Sequence, residues 1–264
     1  MSPAGIVVHP HPTLAHVACV TLSQAAKLNA ISRAMWRALR ETFEGWAERE
    51  PALRCVLVRG EGGTFAAGAD IEEFPSFRFD EEALREYHEG LIAPALHAML
   101  ACDVPIVAQI EGACVGGGLE IAACCDLRIA GESARFGAPI ARLGFPMAPD
   151  ELAVVVRAAG FATAAELLLE ARLLDASTAL ARGLVHRVVA DAEVAREAEA
   201  TTARIAALAP LAARANKRTL RVLAQGRLPD EGERREHFAY AASADHREGI
   251  EAFLGKRAPT FQGR

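Results

Sequence analysis

Residues 111–126 read EGACVGGGLEIAACCD, and the fold turns on this stretch. The run just before it, Val104-Pro105-Ile106-Val107-Ala108-Gln109-Ile110, is short, apolar and partly β-branched, so it predicts a buried strand. Gly112 ends that strand, and Gly116-Gly117-Gly118 form a sharp turn. Small apolar residues at helical spacing follow. The expectation is strand, glycine turn, buried helix. Three consecutive glycines cost chain entropy, so they ask for a structural reason. Either the helix packs so close to a strand that no side chain fits, or free N–H groups at its start face developing negative charge. A carbonyl oxygen turning into an enolate carries such charge. Glu120 bears on that choice, because it lies two residues into an otherwise apolar helix. A buried glutamate is costly unless it is paired or used. A carboxylate beside such a turn is equipped for proton transfer next to a carbonyl.

The chain has 264 residues, enough for one large domain or a core with a helical appendage. Its hydrophobic fraction of 52%, much of it alanine, predicts a well-buried globular protein with close helix packing. The formal net charge of -5 and the lack of any Lys/Arg run disfavour nucleic acid as a partner. No apolar run reaches membrane-spanning length and the first residues lack a signal layout, so a soluble, cytoplasmic protein is expected. Cys19, Cys55, Cys102, Cys114, Cys124 and Cys125 form no CxxC pair and sit mostly in apolar segments. They read as reduced core residues, with no metal or disulfide implied.

Along the chain, Ile6–Val8 and His16–Leu22 predict paired strands. His9, His11 and His16 invite a metal reading, but their prolines point to a loop and no acidic or cysteine partner is near. Ser32 caps an expected helix from Arg33 to Glu50, and 55–60 is a buried strand. Phe65-Ala66-Ala67-Gly68-Ala69-Asp70-Ile71 is a second small-residue corner after a strand. It is either an ordinary turn or a place where a ligand approaches main-chain amides. The aromatic segment 74–80 suggests a pocket wall, and 81–101 a helix with Tyr87 and Leu91 on its buried face. His88 and His97 fall off that face; either could line a pocket, but the preferred expectation is a surface or satisfied core histidine. Residues 134–137 and 184–189 predict short strands. Thr163 is expected to cap a helix over 164–169, and Asp175 or Ser177 to begin the next one. The pattern is helical from 191 to 254. The result is an α/β body, 1–195, with a helical C-terminal module, 196–264.

KLNA at 27–30, FAAGADI at 65–71, Val104–Ala108, EGACVGGGLEIAACCD, Ala134–Gly137, Ala181–Val185 and Phe253–Arg257 occur in a telling order and spacing. Over nearly its whole length the chain resembles the crotonase, or enoyl-CoA hydratase/isomerase, superfamily. That resemblance implies a ClpP-like spiral of ββα units ending in helices that build a homotrimer or homohexamer. It implies an acyl-CoA thioester as substrate, with coenzyme A part of that substrate and no separate cofactor. The Ala69 and Gly117 amides would hold the thioester oxygen, and Glu120 would be the first of the two glutamates hydratases use. Lys27, Leu28, Ala67 and Ile71 would touch coenzyme A, with Phe253 and Lys256 reaching it from a neighbouring copy.

The position implied for the second glutamate holds Ile140 instead. An isoleucine moves no proton, and losing one acid/base partner typically costs about 10²–10⁴-fold. One base suffices to shift a double bond, so Glu120 alone suits isomerase-like or divergent chemistry. Asp150 or Glu151 is a candidate substitute acid for hydration, although both also fit the negative first turn of a helix, which is the preferred expectation. The same oxyanion-binding corner would also serve thioester hydrolysis, decarboxylation of a malonyl-type acyl-CoA, or a non-catalytic protein that only binds CoA.

Overall fold

The computed structural model describes residues 5–264. Its elements are β1 (Gly5–Pro10), β2 (Val17–Ser23), α1 (Arg33–Phe43), α2 (Trp46–Arg49), β3 (Cys55–Gly60), α3 (Glu81–Arg85), α4 (Ala93–Ala101), β4 (Ile106–Ile110), β5 (Ala113–Val115) and α5 (Gly117–Cys124). They continue with β6 (Leu127–Gly131), β7 (Arg135–Gly137), α6 (Pro149–Ala159), α7 (Phe161–Leu169), β8 (Leu174–Asp175), α8 (Ala176–Ala181), β9 (Arg187–Val189), α9 (Val194–Ala206), α10 (Pro210–Ala224), α11 (Glu231–Phe238) and α12 (Ala244–Leu254). The main sheet runs β1-β2-β3-β4-β6-β9, and a second runs β5-β7-β8. Only the β1–β2 pair of the main sheet is antiparallel.

A parallel sheet must be covered on both faces, and the near-continuous apolar β3 and β4 are. Val56, Val58, Ile106, Ala108 and Ile110 face one core with the helices α1 and α4. Cys55, Leu57 and Val107 alternate to the other face and pack with Ala198 of α9. The helix that opens the expected C-terminal module therefore covers the sheet.

Several boundaries differ from expectation, each for a local reason. Ser32 Oγ does accept from the Met35 amide, but the helix stops at Phe43, because Gly45 takes a left-handed φ of 63° before α2 starts. Between Gly112 and the glycine turn stands a strand not anticipated, β5, which leaves the main sheet to pair with β7. Thr163 lies buried inside α7, and Gly160, at φ 76°, is where that helix begins. The expected late strand narrows to β9. The helix expected over 81–101 contains a π turn at Glu86–Ile92, where the Ala93 amide donates to the His88 carbonyl five residues back. Such turns tend to mark functional sites.

All six cysteines are buried and unpaired, and burial pushes Cys55 and Cys125 up to about 12. His11 is held in its turn by the Thr13 and Leu14 amides, which donate to its Nδ1. Among the described residues no helix is long and apolar enough to cross a membrane.

Candidate active site

The 65–71 corner and the glycine turn are fastened side by side. Ala66 bridges Cys114 in parallel, its amide donating to the Ala113 carbonyl (2.9 Å) while its carbonyl accepts from Val115 (3.0 Å). Ile31 bridges Ala69 through the flanking residues: the Ile31 amide donates to Gly68 and the Asp70 amide to Ile31. That register turns the Ala69 N–H away from Ile31. Gly117 is the first residue of α5, so its N–H has no partner within the helix. Among the described residues neither amide donates to a protein carbonyl.

The three glycines have different duties. Gly116 adopts φ 52° and ψ −121° and faces Gly68, itself at φ 115°. A Cβ on Gly117 would stand 3.0 Å from the Trp36 ring, and one on Gly118 would press within 2.6 Å of the Ala66 carbonyl. Close packing therefore explains Gly118, whereas the bend at Gly116 is what opens the turn toward the cavity.

That cavity, about 280 Å³, is bordered by Ala69, Gly117, Glu120 and Ile140, and also by Tyr87, His88 and Glu151. Glu120 is buried at 5% exposure, and no hydrogen bond holds its carboxylate among the described residues. Burial first, and then the facing charge of Glu151, raise it well above the ordinary carboxylate range. Ile140 lines the cavity as an apolar wall, where the resemblance implies a glutamate.

Asp150 and Glu151 part company. Asp150 is exposed near His97 (3.5 Å) and serves the helix start as expected. Glu151 stands in the same first turn but faces inward: it is 4% exposed and borders the same cavity as Glu120. Burial pushes it up to about 8, against the pull of Arg78 and a hydrogen bond from the Ala148 backbone. His88 Nδ1 lies 2.6 Å from Glu151 Oε1, and Arg78 Nη1 lies 3.0 Å from His88 Nε2. The Arg78 guanidinium rests over the rings of Phe145 (3.6 Å) and Phe74 (4.6 Å). His88 thus takes the less favoured of its two expected roles and lines the site, delivered together with Tyr87 by the π turn. Burial and the Arg78 charge bring His88 down to about 4. Tyr87 stacks on Phe77 (4.2 Å), and burial with the two nearby carboxylates pushes its hydroxyl up.

The signal for Glu151 was available, since it occupies the third position of a helix whose first turn abuts an aromatic, proline-rich loop. Period alone did not say which of two adjacent acids turns inward. The π turn has no comparable signature, because an inserted residue breaks the spacing from which faces are read.

The residues expected to hold coenzyme A divide. Lys27 is engaged by Asp70 (2.7 Å) and Glu72 (2.8 Å), and the Leu28 carbonyl accepts from Ala67. Ala67 and Ile71 border the cavity, and Leu28 and Ile71 expose apolar side chains. Phe253 on α12 and Lys256 just beyond that helix do not border it; Phe253 is 83% exposed.

Comparisons with known proteins agree with this architecture. The family model described as enoyl-CoA hydratase/isomerase matches residues 13–264. A probable enoyl-CoA hydratase echA8 of Mycobacterium leprae is 33% identical, over 94% of this chain and 95% of that protein. The 2,3-dehydroadipyl-CoA hydratase of Escherichia coli is 32% identical, over 94% of this chain and 96% of that protein. Among solved structures, an enoyl-CoA hydratase/carnithine racemase from Magnetospirillum magneticum superposes with a TM-score of 0.93 at 40% identity, covering 100% of this chain and 97% of that one.

Proposed function

The chain belongs to the enoyl-CoA hydratase/isomerase family, and on that premise we propose that it hydrates the double bond of a 2-enoyl-CoA, with Glu151 in place of the missing second glutamate. The observation that carries this reading is the burial of Glu151 in the same cavity as Glu120. Two carboxyls in one dry pocket do not both ionise, so the pair keeps one proton. The donors favour charge on Glu151, which receives the Ala148 hydrogen bond and sits in the first turn of α6. Glu120 keeps the proton.

The steps follow from that allocation. The Ala69 and Gly117 amides donate to the thioester oxygen in the gap between the two corners and polarise the conjugated double bond. Glu151 takes a proton from water as the hydroxyl adds at the β carbon. The electron pair of the double bond moves into the thioester, forming the enolate whose oxygen the two amides hold. Glu120 delivers its proton to the α carbon as the enolate collapses. Atoms balance as one water added, and the proton returns from Glu151 to Glu120 through solvent between turnovers.

Leu28, Ala67 and Ile71 offer the apolar ledge for the pantetheine arm, with Lys27 beside it. Phe253 and Lys256 reach that ledge from a second copy in a trimer or hexamer. Coenzyme A enters as part of the substrate, and no further cofactor takes part. Buried, unpaired cysteines suit a reducing compartment such as the cytoplasm.

Isomerisation of a 3-enoyl-CoA is the second reading, favoured by the apolar Ile140 wall, because a proton shuttle between two acyl carbons needs only one carboxylate. Parallel assays of crotonyl-CoA hydration and 3-enoyl-CoA isomerisation on the wild type and on Glu151→Gln separate the two. Hydration lost with isomerisation retained assigns Glu151 to water. If wild-type protein hydrates no 2-enoyl-CoA, the first reading fails.

A further inference from the structure

We infer that Arg78 and His88 form a one-way donor relay that fixes Glu151 as the charged member of the carboxyl pair, an inference that rests on the proposed role of Glu151. The direction follows from donor counting. A guanidinium has N–H donors and no acceptor, so across the 3.0 Å contact His88 Nε2 accepts from Arg78 Nη1. A neutral imidazole with an accepting Nε2 carries its hydrogen on Nδ1. Across the 2.6 Å contact, Nδ1–H therefore donates to Glu151 Oε1.

The remaining arrangements fail on the same count. A protonated Glu151 donating to Nδ1 would move the ring hydrogen to Nε2, where it would face an Arg78 donor. A doubly protonated His88 would do the same, and burial with the Arg78 charge already disfavours that form. A carboxyl protonated on Oε2 would still accept at Oε1, but the carboxylate makes the stronger, charge-assisted bond and is the form this donor favours.

The relay is built to stay in place. Arg78 is held between Phe74 and Phe145, and no carboxylate forms an ion pair with it among the described residues. Its charge pulls on Glu151 directly, and its N–H sets the tautomer of the imidazole that meets Glu151. The π turn points His88 at the first turn of α6, whereas Asp150, one residue earlier, faces outward. Tyr87 and His88 from the π turn, Glu120 from α5, Arg78 from the aromatic segment and neighbouring Asp150 are the groups acting on Glu151, and Glu89 acts on His88. Arg78 and His88 are positioning residues, since the relay acts on substrate only through Glu151.

The test is the pH profile of kcat for crotonyl-CoA hydration by the full-length enzyme, in wild type, His88→Leu, His88→Asn, Arg78→Leu and Glu151→Gln. The acid limb reports ionisation of the base, so losing its donors moves that limb to higher pH. His88→Leu and Arg78→Leu each shift it upward by about one unit and lower kcat by about 10–100-fold. His88→Asn keeps a donor near the Nδ1 position and recovers most of the loss. Circular dichroism identifies any variant that has not folded, and Arg78→Leu reads the relay independently of His88. An acid limb unmoved in folded His88→Leu and Arg78→Leu, with Glu151→Gln inactive, overturns the relay and leaves the role of Glu151 standing. A Glu151→Gln enzyme as active as wild type overturns that role itself.

Discussion

Gly68 and Gly116 meet across the seam between the two corners that frame the cavity: a Cβ built on Gly116 would lie 3.4 Å from the Cα of Gly68. Both take positive φ, 115° and 52°, conformations that L side chains adopt only under strain. The amides that follow them, on Ala69 and Gly117, therefore owe their directions to two glycines rather than to any side chain.

Gly68→Ala is expected to lower stability by about 1–2 kcal/mol, the usual cost of forcing a side chain into this region. It should also lower kcat by about 10²–10³-fold, the effect of losing one oxyanion donor, because Ala69 can no longer hold its orientation. Denaturant titration and steady-state kinetics on one preparation check both.

Gly118→Ala probes a different constraint. Its Cβ would stand 2.6 Å from the Ala66 carbonyl, a main-chain atom that cannot swing aside. The expected loss is about 1–3 kcal/mol of stability, as for overpacking elsewhere, with α5 displaced from the first corner. A thermal melt indistinguishable from wild type would show that the helix is not so tightly seated.

The carboxyl pair predicts a pH dependence of stability. Burial raises both Glu120 and Glu151, the latter to about 8. The folded state therefore binds protons more tightly than the unfolded chain. The stability this supplies is fully present below the ordinary carboxylate value of 4.5 and is lost as pH climbs through about 8. Glu120→Gln removes one partner, so its melting temperature should fall less than that of wild type between about pH 5 and about pH 9, a difference on the order of 1–3 kcal/mol. Parallel curves for the two proteins would contradict the shared-proton account.

Ile140 predicts a change in specificity rather than in chemistry. Ile140→Ala should enlarge the cavity and shift preference toward longer or branched acyl chains, while the pH profile of kcat stays in place. A series of acyl-CoA chain lengths measures it, and a displaced profile would mean that Ile140 shapes the acid/base pair.

Much of this was legible in the chain. The apolar run 104–110, the glycine turn and the apolar helix behind it carry the central unit, because close packing leaves few residue types that fit there. The 65–71 corner was legible as a candidate, but its union with β5 was not, since a bridge between Ala66 and Cys114 joins segments nearly fifty positions apart and leaves no local mark. Glu120 stood out as a charge in an apolar helix. Glu151 did not, because an acid in a helix first turn has an ordinary explanation that holds for its neighbour Asp150. His88 was legible only as one of two histidines that could line a pocket, because the π turn departs from the helical period by which faces are read.

Whether Glu151 supplies the base that Ile140 cannot is read from the rate of crotonyl-CoA hydration by Glu151→Gln beside wild type. The expected result is a fall in kcat of about 10²–10⁴-fold with KM little changed, the mark of a group that acts in the transition state. A Glu151→Gln enzyme that hydrates crotonyl-CoA at the wild-type rate would contradict it.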